Sequence, residues 1–187
     1  MKSRGGTGSD RVPFREVHGA PGIADEAAVR AKYRRLTLQL IEQGRTITTM
    51  ESCTSGQIAS LITDTEGASA VMHGAFVTYA SAMKVQMGVP AEIIDSYGVY
   101  SAETAQAMAL ACRKNCGADI GVGVTGTFGN PDPNDADIAP GEDYFAIADA
   151  TGVAVFHCTI PAQPSRLAYK LYIADIIVDQ LLRSPAT

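Results

Sequence analysis

An α/β domain in three layers, α/β/α, is what this sequence predicts: helices on both faces of a mixed, mostly parallel sheet, with an antiparallel hairpin late in the chain. Three observations carry that expectation. Segments rich in β-branched residues alternate with segments of helical period along most of the chain. From Ile120 to Gly126 the residues are small or apolar at successive positions, as a strand covered on both faces must be. Tyr144–Asp149 and Val153–Ile160 both read as strands, and the short join at Thr151-Gly152 makes them antiparallel.

The elements follow in order. Met1 to Ala24 carries Gly5, Gly6, Gly8, Gly19, Gly22, Pro13 and Pro21 with no sustained period. Residues 1–24 therefore read as an extended or disordered arm, free or docked on a neighbouring subunit, and residues 25–187 as the domain. Asp25 to Gln43 is a helix: Val29, Tyr33, Leu36, Leu40 and Ile41 form one stripe, Asp25 can cap the start, and Gly44 ends it. Arg45 to Met50 is a β-branched strand, after which Ile58, Leu61 and Ile62 recur at helical spacing in a helix ending near Asp64. Phe76 to Tyr79 is a second strand, and residues 82–88 turn back from it. Pro90 opens a short helix that Gly98 stops. Ser101 caps the helix Ala102 to Asn115, with Ala105, Met108, Ala109 and Cys112 inward and Gly117 at its end. Pro164 and Ser165 open the last helix, expected to bury Leu167, Leu171, Ile173, Ile176, Ile177 and Leu181.

Two patterns are set aside. Gly121, Gly123 and Gly126 spell a G-x-G-x-x-G, but they lie inside a strand and run into Gly129-Asn130-Pro131-Asp132-Pro133, so no helix start follows to hold a dinucleotide. Asp132, Asp135 and Asp137 lie in the long loop Gly129 to Glu142 without the glycine and closing glutamate of a calcium loop, so no metal is expected there.

With 187 residues, 46% of them hydrophobic, the chain can build one full core. A net charge of -5 argues against broad nucleic-acid binding. No apolar run approaches a membrane span and no secretory pattern opens the chain, so a cytoplasmic protein without membrane partners is expected. Cys53, Cys112, Cys116 and Cys158 match no zinc spacing, and Cys112 and Cys116, four apart on one helix face, read as buried reduced thiols.

Chemistry concentrates between Thr48 and Ile62. A strand runs into a helix there, and Ser52, Thr54, Ser55 and Gly56 crowd the join. A serine on such a turn is placed to attack a carbonyl, with backbone amides nearby for an oxyanion; the same residues also serve as plain helix caps. Cys53 could compete as a nucleophile at the helix start, but it is expected to face the core, because adjacent residues point apart. No G-x-S-x-G elbow occurs, and the three histidines lie near no nucleophile motif; His157, inside a strand, reads as packed or edge-exposed. A lysine with its pKa lowered by burial can replace histidine as the base. Lys84 sits in an otherwise apolar stretch after a strand end, with Tyr79 five residues earlier.

Glu51-Ser52-Cys53-Thr54, Gly56, Gly67-Ala68-Ser69, Tyr79 with Lys84, Gly88-Val89-Pro90, Gly98-Val99-Tyr100-Ser101 and Val124-Thr125-Gly126 fall in one order. In this the chain resembles the CinA C-terminal domain family, over about Leu36 to Leu182. The resemblance implies hydrolysis of the carboxamide of nicotinamide mononucleotide to nicotinate mononucleotide and ammonia, with no cofactor and no metal, in a homo-oligomer. It implies Ser52 as nucleophile, Lys84 as base and Tyr79 as the base's hydrogen-bonding neighbour. Thr54, Ser55, Gly56, Thr125 and Gly126 would line the oxyanion and substrate site. Arg166 and Lys170 match basic positions that would hold the substrate phosphate or join subunits. Ser55 stands where the family usually has glycine, and the 129–142 loop departs from the family's glycine-rich pattern. These departures leave two alternatives: an amidase for another heteroaromatic amide or nucleotide, and a non-catalytic binding module with the same fold.

Overall fold

The computed structural model describes residues 11–129 and 139–183. In chain order the elements are β1 (Arg15–Glu16), α1 (Glu26–Gln43), β2 (Ile47–Glu51), α2 (Gln57–Thr63), β3 (Phe76–Val77), α3 (Ser81–Gln86), α4 (Ala91–Tyr97), α5 (Ala102–Cys116), β4 (Ile120–Gly126), β5 (Glu142–Asp149), β6 (Gly152–Thr159) and α6 (Arg166–Arg183). They form the expected α/β architecture. The sheet runs β1-β6-β5-β4-β2-β3. β4, β2 and β3 are mutually parallel neighbours, β5 is antiparallel to both β4 and β6, and β1 lies parallel to β6.

Local signals set the helix ends. Asp25 accepts from the Ala27 amide at 3.0 Å, and Gly44 closes α1 in the left-handed conformation. Ser101 caps α5 through the Thr104 amide at 3.1 Å. Each such cap stabilises its helix by about 1 kcal/mol.

The layers divide the core. On one face α1, α2 and α6 pack on the sheet through Tyr33, Leu36, Ile62, Val122, Phe145, Ile173 and Ile177. On the other, α5 lies flat on β4 and β5 through Ala105, Ala109, Ala146 and Ala148, with Met50, Val89, Met108 and Cys112 alongside. Gly121 and Gly123 make that close approach possible: a Cβ would stand 2.3 Å from the Ala109 carbonyl oxygen at Gly121 and 2.4 Å from that of Ala105 at Gly123. The glycine pattern in β4 therefore serves helix packing.

Three findings differ from the sequence reading. Part of the arm, from Arg11 to Ala24, is docked on its own chain, with β1 extending the sheet at β6 and the Val17 amide donating to the His157 carbonyl at 2.9 Å. Its signal is only two strand residues long, too short to read as a period. Leu167 is exposed, because the first turn of α6 turns Ala168 and Tyr169 to the core and Leu167 to the opposite side. Tyr79 lies outside β3, which stops at Val77. Residues 1–10 and the aspartates at 132, 135 and 137 lie outside the described residues. Among those described, no helix is long and apolar enough to cross a membrane.

Candidate active site

β2 ends at Glu51, and the chain must reverse direction within five residues to start α2. Ser55 and Gly56 achieve this with successive positive φ values of 52° and 88°. Ser55 is the one non-glycine residue with positive φ among those described. It holds the turn with two contacts to the Ser52 carbonyl: its amide at 3.1 Å and its hydroxyl at 3.3 Å.

Glu51 organises this turn from within. It is fully buried and accepts from Gly56, Ile58 and Ala59 amides at 2.9, 3.2 and 2.9 Å and from the Thr49 hydroxyl at 2.9 Å. A strand carboxyl thus caps α2, whose own N-cap position is the side-chainless Gly56. The helix start is filled by the protein's own acid. Ser52, buried at the end of β2, extends the ladder through its amide to the Val124 carbonyl at 3.0 Å.

α3 carries the base. Lys84 is 0% exposed, and its Nζ lies 3.0 Å from Ser52 Oγ. Nζ also faces the carbonyl oxygens of Thr78 at 2.7 Å and Tyr79 at 3.4 Å. Burial lowers the Lys84 pKa to about 8, and the nearby Cys53 opposes this only in part. A neutral amine has two N–H bonds and one lone pair. The two carbonyls can take the N–H bonds, which leaves the lone pair toward Ser52 Oγ.

The remaining expected site residues are distributed as follows. The Tyr79 side chain is 62% exposed and turned away from Lys84, so only its backbone carbonyl meets the amine. Its hydroxyl accepts from Arg166 at 3.3 Å. The Arg166 guanidinium also lies 5.3 Å from the centre of the Phe128 ring, which stacks on Tyr169. Thr125 is fully buried and donates to the Val99 carbonyl at 2.9 Å, tying β4 to the start of α5 instead of facing Ser52. Thr54 is buried, and its hydroxyl has no partner among the described residues. The Ser55, Gly56 and Gln57 amides bond to Ser52, Glu51 and Thr54 respectively. This differs from the expectation that the amides of residues 54–56 would serve an oxyanion. Cys53 and Thr54 are the turn's remaining amides, and that of Thr54 lies against the Cys53 thiol.

A family model described as the CinA C-terminal domain matches residues 30–176. The chain belongs to that family. It is 34% identical over 139 residues to a CinA-like protein of Solibacter usitatus, covering 74% of this chain and 33% of the relative. It is 43% identical over 112 residues to a CinA-like protein of Geotalea uraniireducens, covering 59% of this chain and 26% of the relative. The chain thus spans about a quarter to a third of the length of these curated relatives. Among solved structures, the competence/damage inducible protein CihA from Agrobacterium tumefaciens superposes with a TM-score of 0.75 at 28% identity, covering 82% of this chain and 93% of that one. A CinA superfamily protein from Escherichia coli shares the fold, with a TM-score of 0.72 at 23% identity over 84% of this chain and 93% of that one.

Two carboxyls of this CinA domain escaped the sequence reading. Glu51 could have been found as the lone charge closing a β-branched strand just before a helix. Asp143, at the start of β5, is fully buried and accepts from the Cys53 thiol at 3.1 Å. Its position beside a long acidic loop disguised it as one more solvated acid. Among the described residues no group of three or more His, Cys, Asp or Glu is arranged to hold a metal ion.

Proposed function

We propose that this CinA domain is an amidohydrolase that converts nicotinamide mononucleotide to nicotinate mononucleotide and ammonia. The observation that carries the reading is the fully buried Lys84 amine, 3.0 Å from Ser52 Oγ with a pKa of about 8. Neutral Lys84 takes the Ser52 proton as Oγ attacks the carboxamide carbon. The Cys53 amide is the donor assigned to the developing oxyanion, contributing roughly 3 kcal/mol to the transition state. The tetrahedral species collapses, the C–N bond breaks, and Lys84 returns the proton to the departing ammonia. Water, deprotonated by Lys84, then cleaves the nicotinoyl ester and restores Ser52.

Substrate choice is supported by the rim. Arg166 is exposed and linked to Tyr79, which suits a phosphate at the mouth of the site. Val77, Tyr79 and Met83 offer apolar surface for a flat ring. Ser55 supports a second reading, an amidase for another heteroaromatic amide, because its side chain adds bulk to the nucleophile's turn.

The test is incubation of the purified chain with nicotinamide mononucleotide and a panel of heteroaromatic amides, with ammonia and the acid product measured. Turnover of the mononucleotide that falls about 10³-fold or more in Ser52→Ala and Lys84→Ala is expected. A higher kcat/KM on another amide would replace the substrate. Binding without product would leave a binding module, and undiminished turnover in both variants would remove the mechanism.

A further inference from the structure

The mechanism above makes no use of Asp143, yet this acid is hydrogen-bonded to the residue that follows the nucleophile. In the sheet it pairs with Gly126 of β4 on one side and Cys158 of β6 on the other. Its Oδ1 accepts from Cys53, the residue after Ser52. Its Oδ2 is buried and has no hydrogen-bond partner among the described residues. Gly126 leaves room for it, since a Cβ at that position would stand 2.2 Å from Oδ1. One carboxyl therefore joins the nucleophile's turn to the ends of two strands.

Such an acid does not serve stability. Burial pushes the Asp143 carboxyl well above the usual carboxylate range; the Cys53 hydrogen bond opposes the shift and nearby Glu142 adds to it. The folded state then holds a proton that the unfolded chain releases. Folding with Asp143 in place becomes less favourable as pH rises above the ordinary carboxyl range toward the folded value. An unpaired buried oxygen adds a desolvation penalty.

We infer that Asp143 is a positioning residue: by holding Cys53 it fixes Ser52 Oγ and the Cys53 amide in their reactive orientation, while lowering the stability of the fold. The inference rests on the serine nucleophile proposed above. An apolar replacement of similar shape should raise stability and loosen the turn, whereas an ordinary structural residue would lose both together.

The experiment compares the full chain with Asp143→Val and Asp143→Asn by three measurements. These are the thermal midpoint, the rate at which a fluorophosphonate labels Ser52 (located by peptide mass spectrometry), and hydrogen exchange of the Ser52–Gly56 segment. In Asp143→Val the midpoint is expected to hold or rise while labelling slows about tenfold or more and the turn exchanges faster. Asp143→Asn keeps an oxygen acceptor for the thiol and should label within about threefold of the parent. Labelling of Asp143→Val at the parent rate would overturn the inference. So would slower labelling with a lower midpoint, or an Asn variant as slow as Val. If the parent's Ser52 does not label, the serine mechanism fails and exchange alone judges Asp143. Faster exchange of the turn in Asp143→Val at an undiminished midpoint then sustains the anchor, and unchanged exchange rejects it.

Discussion

At pH 7 most of Lys84 carries its proton, since burial brings its pKa down only to about 8. The active form under the proposed mechanism is the neutral amine. Below the Lys84 pKa, kcat/KM should therefore fall about tenfold per pH unit, and above it the profile should level off. A rate profile flat from pH 6 to 9 would remove Lys84 as the base. Glu51 invites a second prediction. Glu51→Ala leaves three backbone amides and the Thr49 hydroxyl without their acceptor inside the core. That costs about 3 kcal/mol, or a thermal midpoint lower by roughly 6–12 °C. A midpoint within about 2 °C of the parent in calorimetry would show that water replaces the carboxyl without penalty. Ser52 and Lys84 could be singled out in the sequence because their neighbours form ordered motifs. Glu51 carried a signal as the lone charge closing its strand, but its capping role did not show, and Asp143 carried none, since an acid is ordinarily solvated and only the tertiary fold reveals what surrounds it. The same limit applied to Tyr79: its place before Lys84 was legible, but the direction of its ring was not.

Among the elements, α5 and β4 are the pair whose contact the sequence encodes most directly. A strand with glycines at alternate positions, opposite a helix with alanines on its inner stripe, allows two backbones to approach closely. The pattern identified the glycines, and the absence of a following helix excluded a nucleotide site, but the partner of the glycines appears only in the fold. Gly123→Ala should be destabilising although alanine fits a strand. Its Cβ would fall 2.4 Å from the Ala105 oxygen and 2.5 Å from the Ala109 nitrogen, both backbone atoms of α5. Shifting the helix costs about 3 kcal/mol, read as a midpoint lower by roughly 6–12 °C. The same change at Gly117, whose Cβ would meet nothing within 4 Å, tests the opposite case. There the loss comes only from the positive φ of 60° and should stay near 1 kcal/mol. Equal losses at the two positions would reject close packing as the reason for Gly123.

For the molecule as a whole, the docked segment Arg11–Ala24 acts as a strap across the last edge of the sheet. It begins against α4 and α5: Arg11 lies 5.4 Å from the centre of the Tyr97 ring at the end of α4, and the Val12 amide donates to the buried Glu103 of α5 at 3.1 Å. It crosses β6 through β1, with Phe14 against the rings of Tyr144 and His157. His157 is held on both sides, by Glu16 at 2.8 Å and Glu142 at 2.5 Å. The strap then reaches α6, where Gly19 lies so close to the Tyr172 ring that a Cβ would stand 2.7 Å from it. None of this shows in the segment's own sequence, because its contacts are to residues about 90 to 140 positions away. The strap lies outside the stretch that matches the CinA family, which starts at residue 30. Its removal should therefore leave the family core folded but uncover the β6 edge around Phe156 and His157, which would present unpaired amides and carbonyls there. Deleting residues 1–20 is expected to keep the helical circular dichroism, lower the thermal midpoint, and produce concentration-dependent larger species in size-exclusion chromatography with light scattering. Elution and midpoint both equal to the parent would mean that the strap is not what protects this edge.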